Sequence, residues 1–214
     1  MKPLADCRLY AFVDTAYLRG RPPQDVAQEL CDGGADLIQL RAKNSPPDAV
    51  LRMAEAILPV AGNAGVGLVI NDYPSVALAV GAPACHLGQE DFFGPGRERV
   101  SELRPPGSRL LVGLSTREPG QAGRALRAQA DSLGVGPVYA TGTKPEAKPV
   151  TLSYVRWAAA EISIPWFAIG GIHLENVDEV LAAGARGICV VSAILNAADI
   201  AAACRRFREK LDNG

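Results

Sequence analysis

The stretch GADLIQLRAK, from Gly34 to Lys43, joins the end of a helical pattern to a short apolar strand and then to alternating polar residues. Its first three residues recur in related form as Gly81-Ala82-Pro83, Gln129-Ala130-Asp131 and Gly184-Ala185-Arg186. Each copy ends a helical pattern and enters an even-numbered strand, where a glycine can adopt the left-handed conformation that commonly ends a helix. The spacing of roughly 50 residues between copies corresponds to two strand–helix units.

Strand runs and helical patterns alternate along the whole chain, as expected of parallel strands joined by helices. The strands are predicted at Leu9–Val13, Leu37–Leu40, Gly67–Ile70, Ala84–Leu87, Leu110–Leu114, Ser132–Val135, Trp166–Ile169 and Ile188–Val191. The helices are predicted at Gln24–Asp32, Asp48–Val60, Ser75–Val80, Arg97–Leu103, Pro119–Ala130, Ser153–Glu161, Leu174–Ala183 and Asp199–Leu211. Eight such units predict an α/β fold, a single (β/α)8 TIM-barrel domain over residues 1–214.

Composition excludes several classes of protein. The net charge of -1 argues against a nucleic-acid partner, and 6% aromatic residues are few for a surface that stacks single-stranded bases. The sequence shows neither a basic leader nor an apolar run of about 20 residues, so we expect a cytoplasmic protein without a membrane partner. The cysteines are scattered and form no C-x-x-C pair, which predicts reduced, mostly buried thiols rather than disulfides or a zinc site. They are Cys7, Cys31, Cys85, Cys189 and Cys204.

Polar residues follow the apolar runs, at the strand ends where TIM barrels carry their active sites. After strand two, Gln39, Arg41 and Lys43 alternate with apolar residues, so they share the strand face directed at the barrel axis. Three converging donors suit an anion. The alternative is a solvated strand end with ordinary salt bridges.

Two aspartates follow the next two strands, in Asn71-Asp72 and in Gly88-Gln89-Glu90-Asp91. Because adjacent strands lie about 4.8 Å apart, Asp72 and Asp91 are predicted to share one hard cation. Mg²⁺ is the candidate, since it binds carboxylate and phosphate oxygens while it keeps several waters. The alternative is that each aspartate caps the helix that follows it.

Hydroxyl groups follow strands five and six. Ser115 is a candidate for the site, whereas Thr116 is predicted to cap the next helix. The run from Gly134 to Pro145 contains Thr141, Thr143 and Lys144, which offer donors to phosphate oxygens but lack the spacing of a nucleotide P-loop. The segment Thr141–Val150 is rich in Lys, Pro and Thr and is predicted to be an active-site lid; a simple turn explains its Gly and Pro but not its Thr and Lys.

The last two strands end in small residues. Gly170-Gly171 and Ser192 follow strands seven and eight, where barrels often bind a phosphate on backbone N–H groups.

His86 lies within a strand and is predicted to be a core or supporting residue, and His173 is predicted near the start of helix seven. Since neither histidine is expected to pair with a serine or cysteine, the sequence does not predict a nucleophilic triad.

Several motifs occur in one order over nearly the whole chain. They are Gln39-Leu40-Arg41-x-Lys43, Asn71-Asp72, His86-Leu87-Gly88-Gln89-Glu90-Asp91, Gly113-x-Ser115, Gly134-Val135-Gly136-Pro137-Val138-Tyr139 with Thr141-x-Thr143-Lys144, Ala168-Ile169-Gly170-Gly171-Ile172 and Val190-Val191-Ser192-Ala193-Ile194. This combination resembles the thiamine phosphate synthase family. The family joins hydroxymethylpyrimidine diphosphate to hydroxyethylthiazole phosphate with Mg²⁺, which forms thiamine phosphate and releases pyrophosphate.

The resemblance implies a role for each matching position. The pyrimidine diphosphate would contact Gln39, Arg41, Lys43, Asn71, Ser115 and Lys144, among which Arg41, Lys43, Ser115 and Lys144 are expected to act in catalysis. Asp72 and Asp91 would hold the Mg²⁺. The thiazole phosphate would contact Thr141, Thr143, Gly171, Val191 and Ser192. A homodimer is an expectation drawn from the family alone.

Two departures from the family pattern stand out: Arg117, where many relatives have a histidine or another small polar residue, and Glu146-Ala147-Lys148-Pro149, where relatives have a more Gly-rich lid. Two other functions remain open. A thiazole tautomerase-like enzyme would lack the metal and pyrimidine residues and carry a histidine in the strand-six turn, where this chain has Pro137. A non-catalytic barrel would bind thiazole phosphate without turnover.

Overall fold

Eight parallel strands close into one barrel in the computed structural model of the chain, which describes residues 1–141 and 149–213. The strands are β1 (Leu9–Asp14), β2 (Leu37–Arg41), β3 (Gly67–Asn71), β4 (Ala84–Leu87), β5 (Leu111–Thr116), β6 (Ser132–Val135), β7 (Trp166–Ile169) and β8 (Ile188–Cys189). Each strand pairs with its neighbours in sequence, and β8 closes the ring by pairing with β1. The predicted (β/α)8 fold is confirmed.

The strands alternate with α-helices. These are α1 (Pro23–Asp32), α2 (Pro47–Asn63), α3 (Pro74–Val80), α4 (Gln89–Phe93), α5 (Pro119–Arg127), α6 (Thr151–Glu161), α7 (Val177–Ala182), α8 (Ser192–Leu195) and α9 (Ile200–Asn213). Proline stands in the first turn of α1, α2, α3 and α5, where the missing N–H would have no partner within the helix. In these four helices, a proline in the sequence therefore marks where the helix begins.

The helix after β4 is where the prediction was wrong. No α-helix spans Arg97–Leu103; the α-helix there is α4, and only Val100–Leu103 forms a 3-10 turn. Gly96 has a φ of 83° and Arg99 is extended, so the helical conformation is interrupted between α4 and the 3-10 turn. The four-residue helix α8 was also not predicted, because about one turn is too short to show a repeating apolar pattern.

The repeated tripeptides have the predicted conformation. Their first residues have positive φ values: 85° at Gly34, 69° at Gly81, 61° at Gln129 and 101° at Gly184. The alanine that follows is buried in every copy. Gln129 is strained as a non-glycine in this region, but its side chain accepts a hydrogen bond from Arg99 Nη1 at 3.0 Å.

The carboxylates of two copies connect neighbouring strands at the amino-terminal end of the barrel, called the lower end below. Asp36 Oδ2 accepts hydrogen bonds from the N–H groups of Arg8 (2.7 Å) and Leu9 (3.0 Å) and an ion pair from Arg208 Nη1 (2.8 Å), and Lys2 pairs with Oδ1. Asp131 binds the N–H of Val112 at 2.6 Å and pairs with Arg104. These contacts stabilise the barrel far from the strand ends that carry function.

All five cysteines are free, as predicted, and all except Cys31 are buried. Burial raises the pKa of Cys7 and Cys31 to about 11 and that of Cys85 and Cys204 to about 12. These thiols therefore stay protonated and pack as small apolar groups. None of the helices in residues 1–141 and 149–213 combines the length and apolarity that a membrane span needs.

Candidate active site at the mouth of the barrel

One cavity opens at the carboxyl ends of the strands and brings together most of the residues that the sequence singled out. Its lining includes Gln39, Arg41, Lys43, Asn71, Asp72, Asp91, Ser115, Thr141, Gly171, Val191 and Ser192. Two candidates, Thr143 and Lys144, lie outside the described residues, as does most of the predicted lid. Arg117, one of the departures from the family pattern, also lines this cavity.

The deep part of the cavity is aromatic and uncharged. This floor consists of Tyr10, Gln39, Phe167 and Cys189, each at most 5% exposed. Gln39 Nε2 donates to the Tyr10 hydroxyl at 2.7 Å, and the Tyr10 ring packs edge-on against Phe167. Burial raises the pKa values of the Tyr10 phenol and the Cys189 thiol well above their usual range, so both stay neutral. The floor suits a neutral ring with polar edges.

The outer part of the cavity is charged. This rim consists of Arg41, Lys43, Asp72 and Asp91. Arg41 Nη1 forms an ion pair of 2.6 Å with Asp14 Oδ2, and both side chains are largely buried. Lys43 Nζ lies 3.4 Å from Asp72 Oδ2, and this lysine is about half exposed, with a relative side-chain exposure of 48%. The rim thus places both signs of charge beside an uncharged floor.

Neither rim aspartate caps a helix, which rules out the alternative interpretation of these residues. The residue before α3 is Tyr73 and the residue before α4 is Gly88, and neither helix has a side-chain cap. Asp72 instead turns the chain after β3 with a φ of 64°, and its N–H donates to the His86 carbonyl at 2.9 Å. This turn holds Asp72 at the rim.

Asp91 lies in α4, and its carboxylate folds back over Gly88. A Cβ atom on Gly88 would stand 2.6 Å from Asp91 Oδ2, so glycine at position 88 leaves room for this orientation of the carboxylate. The two rim aspartates offer hard oxygen ligands in one cavity, and the described residues hold no cluster of three or more metal-binding side chains. This donor set fits Mg²⁺, which is commonly held by one or two carboxylates while substrate phosphates and waters complete its coordination.

Ser115 pairs with His86, contrary to the prediction that neither histidine meets a serine. His86 Nε2 lies 2.9 Å from Ser115 Oγ, and Gln89 Nε2 donates to the Ser115 carbonyl at 2.7 Å. The imidazole occupies space above Gly113 of the adjacent strand, where a Cβ would lie 2.7 Å from Nδ1. Because His86 pairs with Gly113 in the register of β4 and β5, no side chain at position 113 takes the space that the imidazole fills.

Thr116 is not a helix cap, and that prediction was wrong. Its hydroxyl donates to the Gly134 carbonyl at 2.9 Å and accepts from the Tyr154 hydroxyl at 2.8 Å, fully buried between β5 and β6. Helix α5 follows Glu118 and has no side-chain cap. Because successive strand residues face opposite sides, Ser115 enters the cavity while Thr116 packs against α6.

The turns after β7 and β8 close the opposite side of the cavity. Gly170 and Gly171 have φ values of 103° and 64°, and a Cβ on Gly171 would stand 2.6 Å from the Ala140 carbonyl oxygen. Asn176, the residue before α7, donates a hydrogen bond from Nδ2 to the Gly171 carbonyl at 2.9 Å, and this contact stabilises the turn. Ser192 begins α8, which Val190 and Val191 separate from β8. His173 lies shortly before α7, as predicted, and its side chain is exposed.

Sequence reasoning missed Tyr10 and Asp14 and undervalued His86. Asp14 follows the apolar run of β1 as the other candidates follow theirs, so the same rule applied to the first strand finds it. Tyr10 carried no such signal, because a tyrosine inside an apolar run is indistinguishable from a core residue. Its role depends on Gln39 from the neighbouring strand.

The comparisons with known proteins agree with this architecture. The family model described as thiamine monophosphate synthase matches residues 9–194. The chain is 41% identical over 211 residues to the thiamine-phosphate synthase of Halalkalibacterium halodurans, covering 98% of this chain and 97% of the relative. It is 44% identical over 188 residues to that of Thermus thermophilus, covering 87% and 88%. A solved thiamine phosphate pyrophosphorylase from Pyrococcus furiosus superposes with a TM-score of 0.87 at 28% identity, covering 99% and 98%.

Proposed function

The chain belongs to the thiamine monophosphate synthase family, and we propose that the cavity at the barrel mouth is where its reaction takes place. The protein is a transferase, a thiamine-phosphate synthase. The reaction breaks the bond between the pyrimidine methylene carbon and the diphosphate oxygen and joins that carbon to the thiazole nitrogen, with pyrophosphate as the second product. The observation that carries the placement is the uncharged aromatic floor beside the charged rim.

The diphosphate is assigned to the rim. Arg41 and Lys43 supply positive charge next to Asn71, and Ser115 supplies a hydroxyl that His86 orients. Lys144 joins this group on the basis of sequence alone. As the carbon–oxygen bond breaks, negative charge grows on the departing oxygen, so donors that are already oriented stabilise the transition state more than the bound substrate.

Asp72 and Asp91 are assigned to Mg²⁺. The ion, when bound, neutralises part of the charge of the diphosphate. The two carboxylates enter from the β3 and β4 ends, with Lys43 within 3.4 Å of Asp72 to limit their mutual repulsion. Gly88 leaves the room that the Asp91 carboxylate needs.

The pyrimidine ring is assigned to the floor, and the thiazole phosphate to Thr141, Thr143, Gly171, Val191 and Ser192. Gln39 offers an amide to a ring edge, while Tyr10 and Phe167 offer aromatic surface. A thiazole nitrogen is already an unprotonated nucleophile, so the bond-forming step needs no general base. Holding the two reactants in line supplies much of the acceleration, by a dissociative substitution.

The decisive experiment mixes purified protein with both substrates and Mg²⁺ and measures thiamine phosphate and pyrophosphate. We expect equal amounts of the two products, and their loss when a chelator removes the metal. Product formed without Mg²⁺ would contradict the proposed role of Asp72 and Asp91. Binding of thiazole phosphate with no turnover would instead identify a non-catalytic barrel.

Three further assignments complete the proposal. Residues 1–214 act as one domain, the protein works in the cytoplasm, and two copies associate as a homodimer. Gel filtration coupled to light scattering tests the last of these, and a monomer at assay concentration would exclude a dimer as the active form.

A further inference from the structure

The ion pair between Asp14 and Arg41 is a buried feature of the cavity that substrate binding does not explain. Asp14 ends β1 and Arg41 ends β2, and the two residues are direct partners in the register of these parallel strands. The Asp14 side chain is 1% exposed and that of Arg41 is 11% exposed. A carboxylate and a guanidinium this deeply buried need each other, because either one alone would be a desolvated charge.

Asp14 is itself held in one orientation. Its Oδ1 accepts the N–H of Ala16 at 3.0 Å, while its Oδ2 accepts Arg41 Nη1 at 2.6 Å. Both carboxylate oxygens are therefore used, and the plane of the carboxylate is fixed by the backbone. Since a guanidinium is planar with its N–H donors in a rigid fork, one short bond to a fixed acceptor restricts where the remaining donors point.

The pair also changes the charge that Arg41 presents. Asp14 offsets the positive charge of the guanidinium at 2.6 Å, so the pair attracts an anion less strongly than an unpaired arginine would. A residue that served only to attract the diphosphate would gain nothing from a buried carboxylate at 2.6 Å. The arrangement instead fixes the direction of the Arg41 N–H donors, at the expense of the net positive charge that Arg41 presents.

We infer that Asp14 is a positioning residue that orients the Arg41 guanidinium toward the leaving diphosphate. This inference rests on the proposed function, because it requires Arg41 to contact that group. Asp14 does not touch the substrate; it acts through Arg41. Its removal should lower the rate of the bond-breaking step more than it weakens substrate binding.

The test is Asp14→Asn, which keeps the shape of the side chain. The single amide oxygen can take the place of Oδ1 or of Oδ2 but not of both, so the amide NH₂ would face the N–H donor of Ala16 or of Arg41. We expect kcat to fall about tenfold to a hundredfold, since small misplacements of catalytic groups have effects of that size. KM for the pyrimidine diphosphate should change less than about threefold, because the uncompensated charge of Arg41 offsets its lost orientation.

A double-mutant cycle separates this role from a structural one. In an Arg41→Gln background, Asp14→Asn should change kcat by less than about twofold, because the residue through which Asp14 acts is already gone. Asp36→Asn at the lower end is the matched control, since it makes the same chemical change in a buried carboxylate bound to an arginine and to backbone N–H groups. It should destabilise the fold and leave kcat unchanged.

The outcomes distinguish the inference from its premise. Wild-type kcat in Asp14→Asn, or an equal loss of kcat in both backgrounds, would overturn the role of Asp14. Wild-type kinetics in Arg41→Gln would instead remove Arg41 from the proposed function. If Asp14→Asn does not fold, Arg41→Lys decides: lysine keeps the ion pair but lacks the fork, so kcat should fall in a folded protein, and an unchanged kcat would refute the inference.

Discussion

The two ends of the barrel use the same residue type in opposite ways. At the lower end, Asp36 is surrounded by two backbone N–H groups and two cations, and Asp131 by a backbone N–H and Arg104. At the mouth, Asp72 has one lysine at 3.4 Å, and the Asp91 carboxylate has no side-chain hydrogen bond or ion pair with residues 1–141 and 149–213. The carboxylates of Asp36 and Asp131 are held by partners that join parts of the fold, whereas those of Asp72 and Asp91 are available to bind a ligand.

Among the substitutions that test this difference between the two ends, Asp91→Asn is expected to have the largest effect. Asp91→Asn removes a negative charge that the fold does not use, so turnover should fall about a hundredfold to a thousandfold. The midpoint of thermal unfolding should move by less than about 2 °C, since no partner in the fold is lost. Steady-state assays over a Mg²⁺ titration check this, and excess Mg²⁺ should restore part of the rate.

A parallel Asp72→Asn variant tests the shared ion. It should lower turnover in the same way and show a similar recovery at high Mg²⁺. Near-normal turnover of both variants at low Mg²⁺ would mean that these carboxylates do not bind a common metal.

The second largest effect is expected at the lower end, where a substitution should lower stability and leave turnover unchanged. Asp36→Asn removes a buried carboxylate that pairs with Lys2 and Arg208 and accepts two backbone N–H groups, so the free energy of unfolding at neutral pH should fall by about 3 kcal/mol. The kcat of the folded fraction should remain that of the wild type. Urea unfolding and assays at a temperature where the variant is folded measure the two quantities, and a selective loss of kcat would break the proposed division between the ends.

The sequence predicted the barrel well because its evidence is local. The apolar runs define each strand within about two residues, and the left-handed positions after the helices follow from glycine chemistry. The prediction of a helix over Arg97–Leu103 failed because this segment imitates a helical period while Arg99, within it, is extended.

The site was predictable only one strand at a time. The rule that polar residues follow strands found Arg41 and Asp91, since each carries that signal by itself. The contacts of Arg41 with Asp14 and of Ser115 with His86 depend on which strands are neighbours and on their register. The sequence contains no local mark of register, so these pairings needed the structure.

Protonation of Asp36 in acid should destabilise the wild-type fold as Asp36→Asn does at neutral pH, but by a smaller amount. Burial by itself raises the pKa of Asp36, but hydrogen bonds from Lys2 and from the N–H groups of Arg8 and Leu9 outweigh it and lower the pKa. A group with a lowered native pKa stabilises the fold above its unfolded pKa of about 3.9, and this contribution disappears as the pH falls toward the native value. Wild-type stability should therefore decrease below about pH 4.

Asp36→Asn is the control for this acid effect, because it has no carboxylate to protonate at that position. Its unfolding free energy should depend less steeply on pH than that of the wild type when urea unfolding is measured between about pH 7 and about pH 3. Equal slopes for the two proteins would show that other groups dominate acid unfolding and that Asp36 contributes little to the lower end.

The smallest effect is expected inside the mouth, where the comparison can be drawn between its two proposed phosphate positions. Ser192 follows β8 and Arg41 ends β2, and β1 lies between these two strands in the barrel. Ser192→Ala should raise KM for the thiazole phosphate by about tenfold, since one hydrogen bond to a charged phosphate contributes about 1–2 kcal/mol, and should leave KM for the pyrimidine diphosphate nearly unchanged. Arg41→Ala should act on the pyrimidine diphosphate instead. Measuring both KM values in both variants tests the layout, because two variants that weakened the same substrate would contradict separate binding positions for the two phosphate groups.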